Sequence, residues 1–129
     1  MKAIIADDQA GVRSALRLLI EQRAGCCTII EAADAESLLS EVICGCPDII
    51  LLDVELTGIA PVVPATDNDT FQSLITQLRD HCPSLGIIAL SSRPDVRARV
   101  MSSGVSAFVC KTEPPEILMD VLDRLCPCP

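Results

Sequence analysis

Short apolar runs recur along the chain, and the stretches between them carry apolar residues at helical spacing instead. The runs fall at 2–7 (KAIIAD), 27–32 (CTIIEA), 48–53 (DIILLD), 86–91 (GIIALS) and 106–111 (SAFVCK). A run that is apolar at successive positions, as in Ile49, Ile50, Leu51 and Leu52, reads as a strand covered on both faces. Between the first two runs, Val12, Ala15, Leu16, Leu19 and Ile20 recur at the three-to-four spacing of a helix. The segment 34–43 (DAESLLSEVI) opens on Asp34, a residue type favoured at helix N-caps. Phe71, Leu74, Ile75 and Leu78 form one stripe within 69–81, and 95–104 predicts a short helix after Pro94 that Gly104 ends. The last helix, 114–125, enters on proline and carries Ile117, Leu118, Val121, Leu122 and Leu125.

Strands alternating with helices imply a parallel sheet with helices on both faces, an α/β architecture. One stretch, 57–69 (TGIAPVVPATDND), has no period and contains Gly58, Pro61 and Pro64, so it reads as a long surface loop. Asp67 and Asp69 fit a turn and a helix cap there. The domain is expected over 1–126, with 127–129 as a tail.

In open parallel sheets, ligands gather at the carboxyl ends of the strands. Here the first strand ends on Asp7 and Asp8, the third on Asp53, the fourth on Ser91 and Ser92, and the fifth on Lys111. Any one of these alone is an ordinary turn, cap or surface residue. Together they put three carboxylates, a hydroxyl and a lysine on one sheet edge. Converging carboxylates repel unless a cation lies among them, and hard oxygen donors favour Mg²⁺. A carboxylate beside such a metal can attack a phosphoryl group, and a lysine can balance charge on the phosphoryl oxygens. That accounts for an apolar strand ending on a group as costly to bury as Asp53.

The totals narrow the classes. A chain of 129 residues that is 50% apolar is the size of one domain with a core, built here without Trp or Tyr. A net charge of −8 disfavours direct nucleic-acid or anionic-membrane binding. No apolar run reaches the roughly 18–20 residues of a membrane span, and no signal peptide is visible, so a cytoplasmic location is expected. The only lysines are Lys2 and Lys111. Eight cysteines, at 26, 27, 44, 46, 82, 110, 126 and 128, form no C-x-x-C pair, and His81 is the sole histidine. The expectation is reduced cysteines serving as small core residues, with the Cys126–Cys128 tail prone to oxidation and His81 a helix-end cation.

With these residues assembled, the chain resembles the receiver domain of two-component response regulators, from Lys2 to about Leu125. The resemblance implies a flavodoxin-like sheet of order 2-1-3-4-5 with five helices, as in the chemotaxis response regulator that serves as a standard example of that order. It makes Asp53 the phosphoacceptor, with Lys111 and Ser91 acting beside it, and Asp7, Asp8, Asp53 and the backbone carbonyl of Glu55 the Mg²⁺ ligands. Ser91 and Phe108 become the switch pair, although Phe108 also fits a plain core position on an alternating strand. A sensor histidine kinase would supply the phosphoryl group. An output domain or effector would receive the signal through helix four, strand five and helix five, and dimerisation is an option. Such a domain is a signalling protein, whose only chemistry is self-catalysed phosphotransfer and slow autodephosphorylation. The ending KTEPPEILMDVLDRL is similar to receivers joined to DNA-binding domains of the LuxR type, which implies a role in transcription regulation.

Three positions depart from the family pattern: Thr112 follows the lysine where a cis proline is usual, and Thr57 and Pro61 replace a Pro and a Gly. A cis bond to a non-proline residue costs about 2.5–4 kcal/mol, so the geometry at Lys111–Thr112 stays open. The 57–69 loop lengthens the interval from Asp53 to Ser91, and Glu55 and Arg93 flank the site. The loop is expected to alter access of kinase or phosphatase, or to contribute to a partner surface. Two other functions compete. A flavodoxin-like nucleotide or flavin module needs a phosphate loop where this chain has the acidic DDQAGVR. A degenerate receiver would act by protein contacts without phosphorylation.

Overall fold

A computed structural model of the chain describes residues 1–22, 28–56 and 69–125. Five parallel strands, β1 (Lys2–Ala6), β2 (Thr28–Ala32), β3 (Ile49–Asp53), β4 (Gly86–Ser91) and β5 (Ala107–Cys110), form one sheet in the order β2-β1-β3-β4-β5. The helices are α1 (Ala10–Glu21), α2 (Ala35–Cys44), α3 (Asp69–His81), α4 (Arg97–Met101) and α5 (Pro115–Leu125). This is the expected flavodoxin-like fold.

The continuous apolar runs are explained by two cores, one on each face of the sheet. Ala3, Ile5, Ile49, Leu51, Ile88, Leu90 and Val109 pack on one side with Leu16 and Ile20 of α1 and Leu118, Val121 and Leu122 of α5. Their alternates Ile4, Ala6, Ile50, Leu52, Ile87, Ala89 and Phe108 pack on the other with α2, α3, α4 and the turn before α4, through Leu38, Val42, Phe71, Leu74, Ile75, Leu78, Val100 and Val96. A strand with period-two side chains and apolar neighbours on both faces has no polar phase to show.

Most predicted elements hold, with ends shifted by a residue or two. Asp7 and Asp48 lie just outside their strands, although Asp7 N still donates to Ala32 O (3.0 Å) and Asp48 N to Lys2 O (2.8 Å). Asp34 caps α2, its carboxylate accepting from Ser37 N at 2.7 Å. The single helix expected over 95–104 is instead a 3₁₀ turn, Pro94–Val96, leading into a five-residue α4. Proline presets the first turn but brings no N–H, which suits the tighter start. Gly104 follows with φ +102°, a conformation that favours glycine. The Lys111–Thr112 bond is trans, since no cis peptide occurs among the described residues. His81 is the last residue of α3, as expected. The loop expected over 57–69 falls outside the described residues up to position 68, including Asp67, and Asp69 opens α3.

The cysteines require a correction. Cys46, before β3, and Cys82, after α3, form a disulfide with a Cα–Cα distance of 5.8 Å across a separation of 36 residues. Their sequence spacing carries no motif. Only the return of α3 to the start of β3 brings the two backbones within bonding range. Cys110 is a buried free thiol in the core, as predicted, and Cys44 is an exposed one. Cys26, Cys27, Cys126 and Cys128, like the 126–129 tail, lie outside the described residues.

Candidate functional site

The site is built where β1, β3, β4 and β5 end. Asp7 follows β1 and is fully buried. Its Oδ1 accepts from Gln9 N at 2.8 Å, a local turn that starts α1, and its Oδ2 accepts from Lys111 Nζ at 2.9 Å. The Asp7 carbonyl accepts from Arg13 Nη1 at 2.6 Å, so α1 holds the turn in place from its first full turn onward. Arg13 and Arg17 in turn grip Glu31 of β2 at 3.0 and 3.1 Å. The hydrogen bond from Arg13, above all, holds the Glu31 carboxyl below its ordinary range.

Asp53 terminates β3 and is 4% exposed. Its Oδ1 accepts from Glu55 N at 3.0 Å, and its Oδ2 lies 3.4 Å from Lys111 Nζ. One ammonium therefore bridges two buried carboxylates that come from strand ends far apart in the chain. Burial raises the Asp53 carboxyl above its ordinary value; the Glu55 N–H and the Lys111 charge oppose that rise, and the Asp7 charge adds to it. For Lys111, burial works against the charge, but the Asp7 hydrogen bond and the charges of Asp53 and Asp7 outweigh it, so the ammonium titrates above its ordinary value.

Asp8 is exposed, and one carboxylate oxygen from each of Asp7, Asp8 and Asp53 lies within 4.8 Å of the others. Three hard, anionic oxygens in that compass, two of them on carboxylates that Lys111 reaches, are the donor set of a Mg²⁺-type cation. The residues present fit such an ion.

Ser91 ends β4 with 1% exposure, and its carbonyl accepts from Lys111 N at 2.8 Å, which fixes the β4 and β5 ends side by side. Its Oγ accepts from Arg93 N at 3.0 Å. Arg93 is turned to Asp95 at 2.8 Å, and that hydrogen bond chiefly holds its own pKa up and the Asp95 carboxyl down. Phe108 is not among the groups touching the carboxylates. It sits in the larger core at 5% exposure, under the guanidinium of Arg97 at 4.9 Å from the ring centroid. Arg97 Nη2 also reaches Glu113 Oε1 (3.3 Å), and the same oxygen accepts from Cys110 N at 2.9 Å.

The strand-end reading thus located Asp7, Asp8, Asp53, Ser91 and Lys111 on one edge. It missed Arg13, Arg97 and Glu113, which support that edge. No local pattern marks them, because each acts across elements that meet only in the fold. Gln9 contributes a backbone N–H, which any residue other than proline could supply.

A model of the response regulator receiver domain matches residues 3–123. No curated protein sequence matches the chain. Among solved structures, a LuxR-family two-component response regulator from Aurantimonas sp. SI85-9A1 superposes with a TM-score of 0.80 at 23% identity, covering 96% of this chain and 83% of that one. A LuxR-family DNA-binding response regulator from Staphylococcus aureus gives 0.75 at 21% identity, with 96% and 97% coverage. RcsB from Salmonella enterica serovar Typhimurium, bound to promoter P1flhDC in the presence of phosphomimetic BeF3-, gives 0.79 at 25% identity, covering 97% of this chain and 59% of that one.

Proposed function

The chain belongs to the response regulator receiver domain family, and from that membership we propose that it is a switch whose Asp53 accepts a phosphoryl group from a histidine kinase. The family consists of signalling proteins rather than true enzymes. The observation that carries the reading is Lys111, whose ammonium lies 2.9 Å from Asp7 Oδ2 and 3.4 Å from Asp53 Oδ2 beside the exposed Asp8.

An Asp53 carboxylate oxygen attacks the phosphorus of the donor phosphohistidine. The new P–O bond forms as the P–N bond breaks, and the imidazole leaves with the nitrogen electron pair and takes a proton. The product is an acyl phosphate, which water later returns to Asp53 and inorganic phosphate. Lys111 can follow the charge as it moves from the carboxylate to the phosphoryl oxygens. Asp7, Asp8, Asp53 and the Glu55 carbonyl would hold Mg²⁺, which supplies the positive charge that lets the anionic donor approach this acidic edge. On this reading Ser91, at the end of the neighbouring strand, donates its hydroxyl to the phosphoryl group; without phosphate its Oγ accepts from Arg93 N. Phe108 is the proposed second member of the switch, relaying the change to α4, β5 and α5.

The partners on this reading are a sensor histidine kinase and an output domain or effector acting in transcription. The likeness to RcsB, whose structure contains promoter DNA and a phosphomimetic, supports that direction. Among the described residues no helix is long and apolar enough to cross a membrane. A cytoplasmic site of action goes with the proposed partners.

The test is intact mass after incubation with acetyl phosphate and Mg²⁺, beside Asp53→Asn. The expected result is one phosphoryl group gained by the wild type, none by the variant, and none when EDTA is added first. No gain with any small-molecule donor or phosphorylated kinase would leave a receiver that acts by contacts alone.

A further inference from the structure

At the opposite end of the sheet from Asp53, the α2–β3 turn and the end of α3 are joined by the Cys46–Cys82 disulfide. The surroundings are asymmetric. Cys82 is buried, with its N–H donating to Leu78 O (2.9 Å) and its carbonyl accepting from Leu85 N (3.1 Å), so it belongs to the end of α3. Cys46 is exposed and lies two residues from the exposed thiol of Cys44. Beside it, Gly45 N donates to Glu41 O and Val42 O, both at 3.3 Å, Lys2 Nζ donates to Gly45 O at 3.0 Å, and Cys46 Sγ lies 3.4 Å from His81 O. Of the bonded pair, Cys46 is thus the solvent-exposed residue, and Cys82 is the one anchored in the core. Disulfides with an accessible sulfur are the labile class, and in a reducing compartment a disulfide is usually transient and redox-sensing.

We propose that Cys46–Cys82 is a reversible thiol–disulfide site that latches α3 to the start of β3, with a cellular dithiol or glutathione-type thiol as its redox partner. In reduction, a thiolate of the partner attacks Cys46 Sγ, and Cys82 leaves as a thiolate and takes a proton. A second partner thiol then releases Cys46, so two electrons and two protons enter the chain and the partner becomes a disulfide. Reoxidation reverses each step. The latch ties the last turn of α3 to the start of β3; the same turn is also held by Leu78 in the larger core and by Arg79, which donates to Leu85 O at 2.7 Å and to Gly104 O at 3.0 Å. The site shares no residue with the acidic edge, so it stands whether or not Asp53 accepts phosphate.

The experiment equilibrates the full chain, purified without reductant, in anaerobic glutathione buffers from fully oxidised to fully reduced. Free thiols are trapped with N-ethylmaleimide and mapped by peptide mass spectrometry. The expected result is a Cys46–Cys82 linked peptide at the oxidising end, both residues alkylated at the reducing end, one transition between, and Cys44 alkylated or glutathionylated but never linked to Cys82. Cys46→Ser, which alters only the exposed partner, is expected to remove the linked peptide while the protein stays folded. Hydrogen exchange of the amides around 45–49 and 78–82 is expected to quicken about tenfold on reduction, as for local opening of a released segment. Alkylation of both residues in every buffer, linkage that survives the reducing end, a Cys44–Cys82 peptide instead, or unchanged exchange would each overturn the proposal.

Discussion

Asp7 and Asp53 are two buried carboxylates sharing one ammonium, an arrangement that favours a bound cation over the bare site. Because the folded pKa of Asp53 is raised, the neutral acid contributes stability below its ordinary value of 3.8, and that contribution is lost as pH rises through the raised value. At pH 7 without divalent ions, Asp53→Asn is therefore expected to melt at a higher temperature than the wild type. The gap should close as the pH is lowered towards 3.8, and thermal melts across pH would read it. Adding Mg²⁺ should raise the wild-type melting temperature, by the equivalent of about 2.7 kcal/mol at a hundred times the Kd, and raise the variant less. Lys111→Met strands Asp7 without its cation. A loss of about 1.5–3 kcal/mol is expected in urea unfolding, the range for hydrogen bonds to charged groups, with Mg²⁺ restoring part of it.

At the scale of elements, the helices differ in how much of them the core needs. Leu78 of α3 is fully buried in the larger core, so Leu78→Ala should cost about 2–5 kcal/mol in urea unfolding. Leu18 of α1 is 61% exposed, and Leu18→Ala should stay within about 0.5 kcal/mol of the wild type. Both are leucines at apolar-looking places, and periodicity separates them: Leu16, Leu19 and Ile20 hold the stripe and Leu18 falls off it. Four of the five strands were as legible, because four apolar residues in a row admit few other readings at that length, whereas β2 (TIIEA) has only two in a row. The short α4 was less so. Pro94 and a five-residue helix give too little period to distinguish a 3₁₀ start from an α start. Gly104 was legible as a stop, and Gly104→Ala should destabilise by about 1–2 kcal/mol, since φ +102° suits no L side chain.

For the molecule as a whole, charge sets what the chain approaches. With a net −8, it is expected to leave duplex DNA unshifted in a mobility assay even at low salt, where any cationic contact would be strongest. DNA binding in a LuxR-type regulator would then have to come from an output domain. The same net charge means that phosphorylation adds negative charge to an already acidic edge, which is why the proposed switch needs both Lys111 and a divalent ion close to Asp53.

The sequence by itself determined the sheet, the alternation of strands with helices, and the identity of the groups at the strand ends. These follow from local rules: apolar runs must be covered, parallel strands need crossovers, and strand ends of such sheets share one edge. Only the tertiary structure decided which individual pairs form, at that edge and elsewhere in the fold. Lys111 bridges Asp7 and Asp53, Arg97 covers Phe108, and Cys46 finds Cys82 36 residues away. No period or spacing encodes such pairs, because each joins residues whose distance is set by the packing of other elements between them.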